Sequence, residues 1–469
     1  MIKFSVNEVA GIIGARYICG QQAASSEVRR ISTDSRTIKA GDCFFAVEGD
    51  TFDGHNYVVE ALGKGAACAV ISKEFAGIEL AGKPLLMVDD TIKALGRLAG
   101  YYRRQKDFKV IAITGSAGKT TTRQIISSVL CRDFKTHQAP KNFNNQIGLP
   151  LTILSAPADT QVIVTELGTN RPGEISYLSG IAKPDIAVIT NIYPAHLEGF
   201  GSLEEIAKEK ASIANGLKAD GLLIINSDFP VLFDICSKNQ PRLLTFGEGE
   251  HAQIRPTEIH YGGKCGHFNI DDTTVKLTLL GRGNILNAVG AWAVCKQFGL
   301  EIEEFAQRIE KIKALEMRSQ ILAIGPLTVI NDCYNANPAS MQNALEILTT
   351  LTAEKKQRSV FICGDMNELG KQAEMLHIEL GKQIVKSGVE LLITVGRLSQ
   401  FTAHSAKKAG NSKIQMVSVP DSTVACNILE NFIKETDIIL VKGSRTNRLE
   451  VTVEKLKELF STVKTDTAI

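Results

Sequence analysis

The feature that most constrains this chain is the run Val110-Ile111-Ala112-Ile113-Thr114 followed at once by Gly115-Ser116-Ala117-Gly118-Lys119-Thr120-Thr121. A β-branched apolar run of this kind belongs in a buried parallel strand. A glycine turn after it and a helix opening at Lys119 would gather several backbone N–H groups and a helix N-terminus around one point, which is a geometry that holds phosphate. Lys119 would reach the β and γ phosphates as a point charge, and the Thr120 hydroxyl would ligate Mg²⁺. The common form of such a loop has glycine where this chain has Ile113, so the loop is a shortened variant. A plain glycine turn with a surface lysine is the alternative, and the strand before and Gly-Lys-Thr-Thr-Thr behind argue against it.

The motif fixes a nucleotide site and leaves the reaction open. With 469 residues the chain exceeds one comfortable core, so two or three domains are expected. Residues 1–88 read as a small α/β domain with short apolar runs such as Cys68-Ala69-Val70-Ile71, and residues 89–314 as a central domain. A helix over Thr91 to Arg104 leads into that central domain. There, apolar strands at Val162–Thr165, Ile186–Ile189 and Leu222–Ile225 alternate with helices in the manner of a P-loop ATPase-like parallel sheet. Residues 247–280 break the alternation, and a helix follows from about Ile285 to Phe298. Residues 315–469 resume it at Thr328–Ile330, Val360–Ile362, Leu391–Thr394 and Ile438–Val441, predicting a Rossmann-like third domain with a frayed polar tail from Ser461. The fold class expected is α/β in three domains.

Composition narrows the function classes. A formal charge of +2 from 53 basic and 51 acidic residues, with no basic stripe, gives nucleic-acid binding no support. No secretory signal opens the chain and no apolar stretch approaches spanning length, so membrane insertion is not expected. Ten cysteines lie singly, without a CxxC pair, and read as reduced core thiols of a cytoplasmic protein.

The shortened loop resembles that of the Mur ligases and of their relative folylpolyglutamate synthase, which couple ATP hydrolysis to amide-bond formation. Asn144-Asn145-Gln146-Ile147-Gly148-Leu149-Pro150, Ala195 to Ser202, Asp332 to Pro338 and Gly364-Asp365-Met366-Asn367-Glu368-Leu369-Gly370 are similar to the branch of that family that adds D-alanyl-D-alanine. The similarity runs through nearly the whole chain. It implies that the terminal carboxylate of UDP-N-acetylmuramoyl-tripeptide attacks the γ-phosphate of ATP, and that the amine of D-alanyl-D-alanine then displaces phosphate from the acyl phosphate. Two residues depart from the family pattern: Gly283 stands where His is usual, on the adenine side, and Asn367 replaces an apolar residue.

The resemblance also implies roles. Glu166 at a strand end would bind Mg²⁺, and His196 a second Mg²⁺; a lone His is otherwise a hydrogen-bonded structural residue. Lys210 would react with CO₂ to become a carbamate that binds metal, where the sequence alone gives a solvated helix lysine. Asn287, Arg318 and Asp332 would meet adenine, phosphate and ribose. Ser35 and Arg36, in Thr33-Asp34-Ser35-Arg36, would hold the UDP-sugar together with Asp53-Gly54-His55-Asn56. Asn144, Asn145, Tyr334, Asn335 and Asn337 would line the substrate, and Lys442, Ser444 and Arg445 would meet peptide carboxylate or the dipeptide. A monomer is expected. Sister ligases adding one amino acid, a P-loop kinase and a nucleotide-dependent switch are the competing readings.

Overall fold

The computed structural model describes residues 3–49, 51–73, 82–140, 142–239, 242–262, 265–409 and 414–461; the polar tail beyond Ser461 lies outside them. The central sheet carries six parallel strands in the order Leu243–Phe246, Leu222–Asn226, Ile186–Ile189, Lys109–Thr114, Val162–Glu166, Thr136–Gln138. Lys109–Thr114 lies at its middle because the chain winds first to one side and then to the other. A crevice therefore opens at its carboxyl end, where α/β sheets bind ligands.

The β-branched run is buried on both faces, and the two faces serve different cores. Val110 and Ala112 pack into one apolar cluster with Leu149 and Ile175, while Ile111 and Ile113 pack into another with Ile125 and Val289. Each fully buried aliphatic side chain contributes about 1.5–3 kcal/mol of transfer free energy. This explains why the strand reads as a continuous apolar run and not as an alternating one.

Residues 247–280, which interrupt the central alternation, contain an antiparallel sheet of Thr257–His260, Gly266–Ile270 and Thr273–Leu277. The following helix starts at Arg282, earlier than its apolar periodicity announces, and ends at Cys295 with a 3₁₀ turn over Lys296–Phe298. The third sheet runs Gln320–Ile324, Leu327–Asn331, Ile438–Lys442, Ser359–Gly364, Leu391–Val395, Gln415–Val419, parallel except for the first hairpin. Its last strand in sequence, Ile438–Lys442, inserts between Leu327–Asn331 and Ser359–Gly364. That sheet too has a switch point, at Lys442.

The N-terminal sheet orders Arg16–Cys19, Leu85–Met87, Cys68–Ile71, Asp42–Phe45 and Arg30–Ser32. The helix Thr91–Arg104, capped by the Asp90 side chain, connects it to the central sheet and buries Leu95, Leu98 and Ala99 in the first of the two clusters. That cluster extends from Val9 through Val110 to Phe361, so apolar packing runs through the N-terminal, central and third sheets. All ten cysteines are free thiols. No helix among the described residues is long and apolar enough to cross a membrane.

Candidate active site

The turn after Lys109–Thr114 needs both glycines. Gly115 has φ +147 and Gly118 φ +80, and a Cβ on either would stand 2.0 Å from Thr190 Oγ1 or 2.1 Å from Asn287 Oδ1. Neighbouring turns hold the loop in shape: Ala117 N–H donates to Asn191 Oδ1 at 2.8 Å, Tyr193 N–H to Ser116 Oγ at 2.9 Å, and Thr190 Oγ1 to the Ala117 carbonyl at 2.6 Å. The helix Lys119–Leu130 has no side-chain cap at its N-terminus. Its first N–H groups thus face the loop without a side-chain acceptor.

Lys119 folds back so that Nζ donates to the Gly115 carbonyl at 2.7 Å. Burial pulls its pKa down to about 8, opposed by the Glu166 carboxylate and assisted by the Arg318 charge. Glu166 is the final residue of its strand, fully buried, with Oε2 accepting from Thr120 Oγ1 at 3.1 Å and Oε1 facing Arg123 Nε at 3.2 Å. Arg123 is absent from the sequence reading, although it lies one helical turn beyond Lys119 and so on the same helix face.

His196 occupies a left-handed position, φ +55, at the start of the short helix Leu197–Phe200, and its Nδ1 pairs with the carboxylate of Glu368 from the third sheet. Lys210, on the helix Leu203–Ala211, is buried; desolvation first, then the positive charge of Lys119, push its pKa well below the ordinary lysine value, against Glu209 and Glu174. Glu209 accepts from Gly173 N and Ile175 N, both at 2.8 Å, and so caps the helix Glu174–Ala182.

A cavity of about 1050 Å³ joins the phosphate loop, Glu166 and His196 to the third sheet, lined by Ser116 to Thr121, Asn144, Asn145, Glu166, His196 and Asn287 from the central region and by Arg318, Asp332, Tyr334, Asn335, Asn337 and Lys442 from the third sheet; the buried Lys210 is not among its lining residues. The Arg318 guanidinium stacks 4.1 Å from the centre of the Tyr334 ring. Asp332 is already engaged: Oδ1 accepts from Ser319 N at 2.8 Å and Oδ2 from Lys442 Nζ at 2.6 Å. Lys442 ends its strand and is buried, donating also to the Asn335 carbonyl at 2.9 Å. Asn337 Oδ1 accepts from Ser340 N at 2.9 Å and caps the helix Pro338–Lys355, and Asn145 Oδ1 accepts from Gly148 N at 2.8 Å.

Other candidates stand apart from the cavity lining. Arg36 is exposed and ion-paired to Asp34 at 2.8 Å, and the buried Ser35 receives Lys64 Nζ on its carbonyl at 3.1 Å. In the nearby segment the His55 ring lies between Asp53 Oδ1 at 2.6 Å and Ser72 N–H at 3.0 Å. Ser444 accepts from Asn367 N at 2.9 Å, and Arg445 pairs with Glu450 at 3.3 Å. Gly283, the departure on the adenine side, does line the cavity; it donates its N–H to Asn343 Oδ1 at 3.0 Å, and a Cβ there would stand 3.2 Å from that oxygen. The missing side chain admits an amide from the third sheet's first helix.

Among the described residues, no group of three or more His, Cys, Asp or Glu side chains forms a preformed metal cage. Thr120 and Glu166 nonetheless suit Mg²⁺, which takes one or two protein oxygens and completes its shell with phosphates and water.

Parallel sheets with switch points, an uncapped helix behind a tight glycine turn, and a cavity shared between sheets define a nucleotide-using enzyme that assembles its site from separate domains. Three family descriptions match in order: "Mur ligase family, catalytic domain" over residues 27–103, "Mur ligase middle domain" over 113–295 and "Mur ligase, glutamate ligase domain" over 317–445. The chain is 35% identical over 461 residues to the UDP-N-acetylmuramoyl-tripeptide–D-alanyl-D-alanine ligase of Bacillus subtilis, covering 98% of this chain and 99% of that protein. It is 31% identical to the enzyme of the same name from Escherichia coli, covering 98% and 99%. A crystal structure of MurF from Acinetobacter baumannii superposes with a TM-score of 0.88 at 28% identity, covering 98% and 99%; a Thermotoga maritima MurF ligase solved with ADP gives 0.82 at 26%, covering 93% and 99%. The chain belongs to the Mur ligase family and has its three-domain architecture.

Proposed function

We infer that this chain is an ATP-dependent amide ligase that adds D-alanyl-D-alanine to UDP-N-acetylmuramoyl-tripeptide through an acyl phosphate, in peptidoglycan precursor synthesis. One observation carries the reading: the phosphate loop of the central sheet and the strand-end turns of the third sheet wall a single cavity. In the first step a tripeptide carboxylate oxygen bonds to the γ-phosphorus, and the bond to the bridging oxygen breaks to release ADP. In the second the dipeptide amine bonds to the acyl carbon, phosphate leaves and the amine gives up a proton. Both steps crowd anions together, so the site must offer positive charge already in place.

The loop N–H groups, the helix N-terminus and Lys119 hold the phosphates of ATP. Thr120 and Glu166 hold Mg²⁺, which when bound neutralises phosphate charge. His196 and Lys210 serve a second Mg²⁺. For Lys210 the support is its burial beside Lys119, which favours the neutral amine. That amine adds to CO₂, forming an N–C bond and releasing a proton, and a cation becomes an anionic carbamate. Asn287, Arg318 and Asp332 attend the nucleoside and its phosphates. Ser35 and Arg36 belong to the UDP-sugar side; Asn144, Asn145, Tyr334, Asn335, Asn337, Lys442, Ser444 and Arg445 belong to the peptide side. Residues 1–88, 89–314 and 315–469 are accordingly the UDP-sugar, ATP and ligase domains of a monomeric cytoplasmic enzyme.

The direct test is mass spectrometry of the UDP-linked product after incubation with ATP, Mg²⁺ and both substrates: a pentapeptide product supports the ligase, and none opposes it. For the carbamate, ¹³C-bicarbonate should give a carbamate resonance that Lys210→Ala abolishes. An unmodified Lys210 with full activity overturns that role.

A further inference from the structure

Two residues in left-handed backbone conformation meet across the boundary between the central and third sheets. His196 has φ +55 and Glu368 φ +63. Such conformations are uncommon outside glycine and persist where surrounding structure holds them. The Glu368 segment is held from behind: Met366 N–H donates to His377 Nε2 at 3.0 Å, Asn367 N–H to Ser444 Oγ at 2.9 Å, and Leu369 is buried. In front, the Glu368 carboxylate stands in ion-pair contact with His196 Nδ1, a buried atom that makes no other hydrogen bond among the described residues, and the Glu368 carbonyl accepts from Glu198 N at 3.1 Å. Gly370, φ +54, completes the seat, since a Cβ there would stand 3.1 Å from Glu198 Cα. Both His196 and Glu368 line the shared cavity.

A neutral imidazole carries one N–H, and its partner decides which nitrogen bears it. A carboxylate on Nδ1 fixes the hydrogen there and leaves the Nε2 lone pair available, the arrangement that orients a histidine toward a metal ion. Here that carboxylate comes from the other domain. We propose that Glu368 is a positioning residue: seating the third domain delivers its carboxylate to His196, which becomes a competent cation ligand only in the closed molecule. This rests on His196 as a cation ligand, as read above, and explains why a ring on one domain would await the other.

The test compares the full chain with Glu368→Ala and Glu368→Gln, the latter keeping an oxygen that accepts from Nδ1–H. Free Mn²⁺ is measured by electron paramagnetic resonance in the presence of ADP, and histidine tautomers by ¹⁵N resonance. Expected are Mn²⁺ affinity at least about tenfold weaker in Glu368→Ala, loss of the fixed Nδ1–H tautomer at His196, and substantial recovery of both in Glu368→Gln. Turnover should fall through kcat with KM for ATP little changed, and the thermal midpoint should hold because the Glu368 side chain is 53% exposed. Unchanged Mn²⁺ affinity and tautomer in Glu368→Ala would overturn the proposal. Failure of the unaltered chain to ligate would instead remove the functional reading, while the Mn²⁺ comparison would still judge Glu368.

Discussion

At Gly118, φ +80 and a clearance of 2.1 Å to Asn287 Oδ1 leave no room for a methyl group. Gly118→Ala combines about 1–2 kcal/mol of left-handed strain with that clash, and the loop N–H groups move off the phosphate position. ADP affinity measured by calorimetry should fall at least about tenfold, which is about 1.4 kcal/mol, with folding retained; unaltered affinity would mean that the loop does not hold phosphate. Glu166→Gln acts differently. It removes the negative charge facing the buried Arg123 and should cost about 1.5–3 kcal/mol in urea unfolding, the range for weakening a hydrogen bond to a charged group whose other partners stay in place, besides abolishing turnover. A loss under about 1 kcal/mol would show that the Ala139 carbonyl, which Arg123 also reaches, suffices for it. Lys119, Thr120 and Glu166 were legible because loop, helix start and strand end are contiguous signals. Arg123, Asn343 and Glu368 were not, because each gains its meaning from a partner distant in sequence.

Among elements, the segment 364–372 depends on a buried histidine. His377 accepts from Met366 N on Nε2 at 3.0 Å, so Nδ1 carries the hydrogen toward the Ala373 carbonyl at 2.7 Å, and protonation would set two N–H groups against each other. Burial holds its pKa below the ordinary value of about 6.5, against the Ala373 carbonyl and Asp365. Below that ordinary value the unfolded chain takes a proton that the native chain refuses. Stability is therefore complete above about pH 6.5 and drains as pH falls toward the lowered native pKa, by at most about 1.4 kcal/mol per pH unit. Urea midpoints between about pH 8 and pH 5 should fall less steeply in His377→Gln; parallel slopes would contradict this. The inner parallel strands of the central and third sheets were readable because burial on both faces writes apolar runs. Gln320–Ile324 and Gln415–Val419 were not, since both lie at sheet edges and are partly exposed along most of their length.

Across the whole molecule, the contacts that tie the third domain to the central one include Glu368 to His196, the Glu198 N–H to the Glu368 carbonyl, Asn343 to Gly283, and the continuous apolar cluster. An acyl phosphate formed between them would be sheltered from water only while they hold. Small-angle scattering should therefore show a ligand-free ensemble broader than this arrangement, contracting toward it with an ATP analogue and the UDP-linked substrate. Scattering that ligands leave unchanged would count against closure. Sequence alone gave three domains and their order, but not these contacts, which depend on how the domains meet. The central claim is joint use of ATP and both substrates at one cavity, and phosphate release with each component omitted in turn tests it most directly. Release that requires ATP, UDP-N-acetylmuramoyl-tripeptide and D-alanyl-D-alanine together is predicted; release that proceeds equally without either peptide substrate would contradict the account.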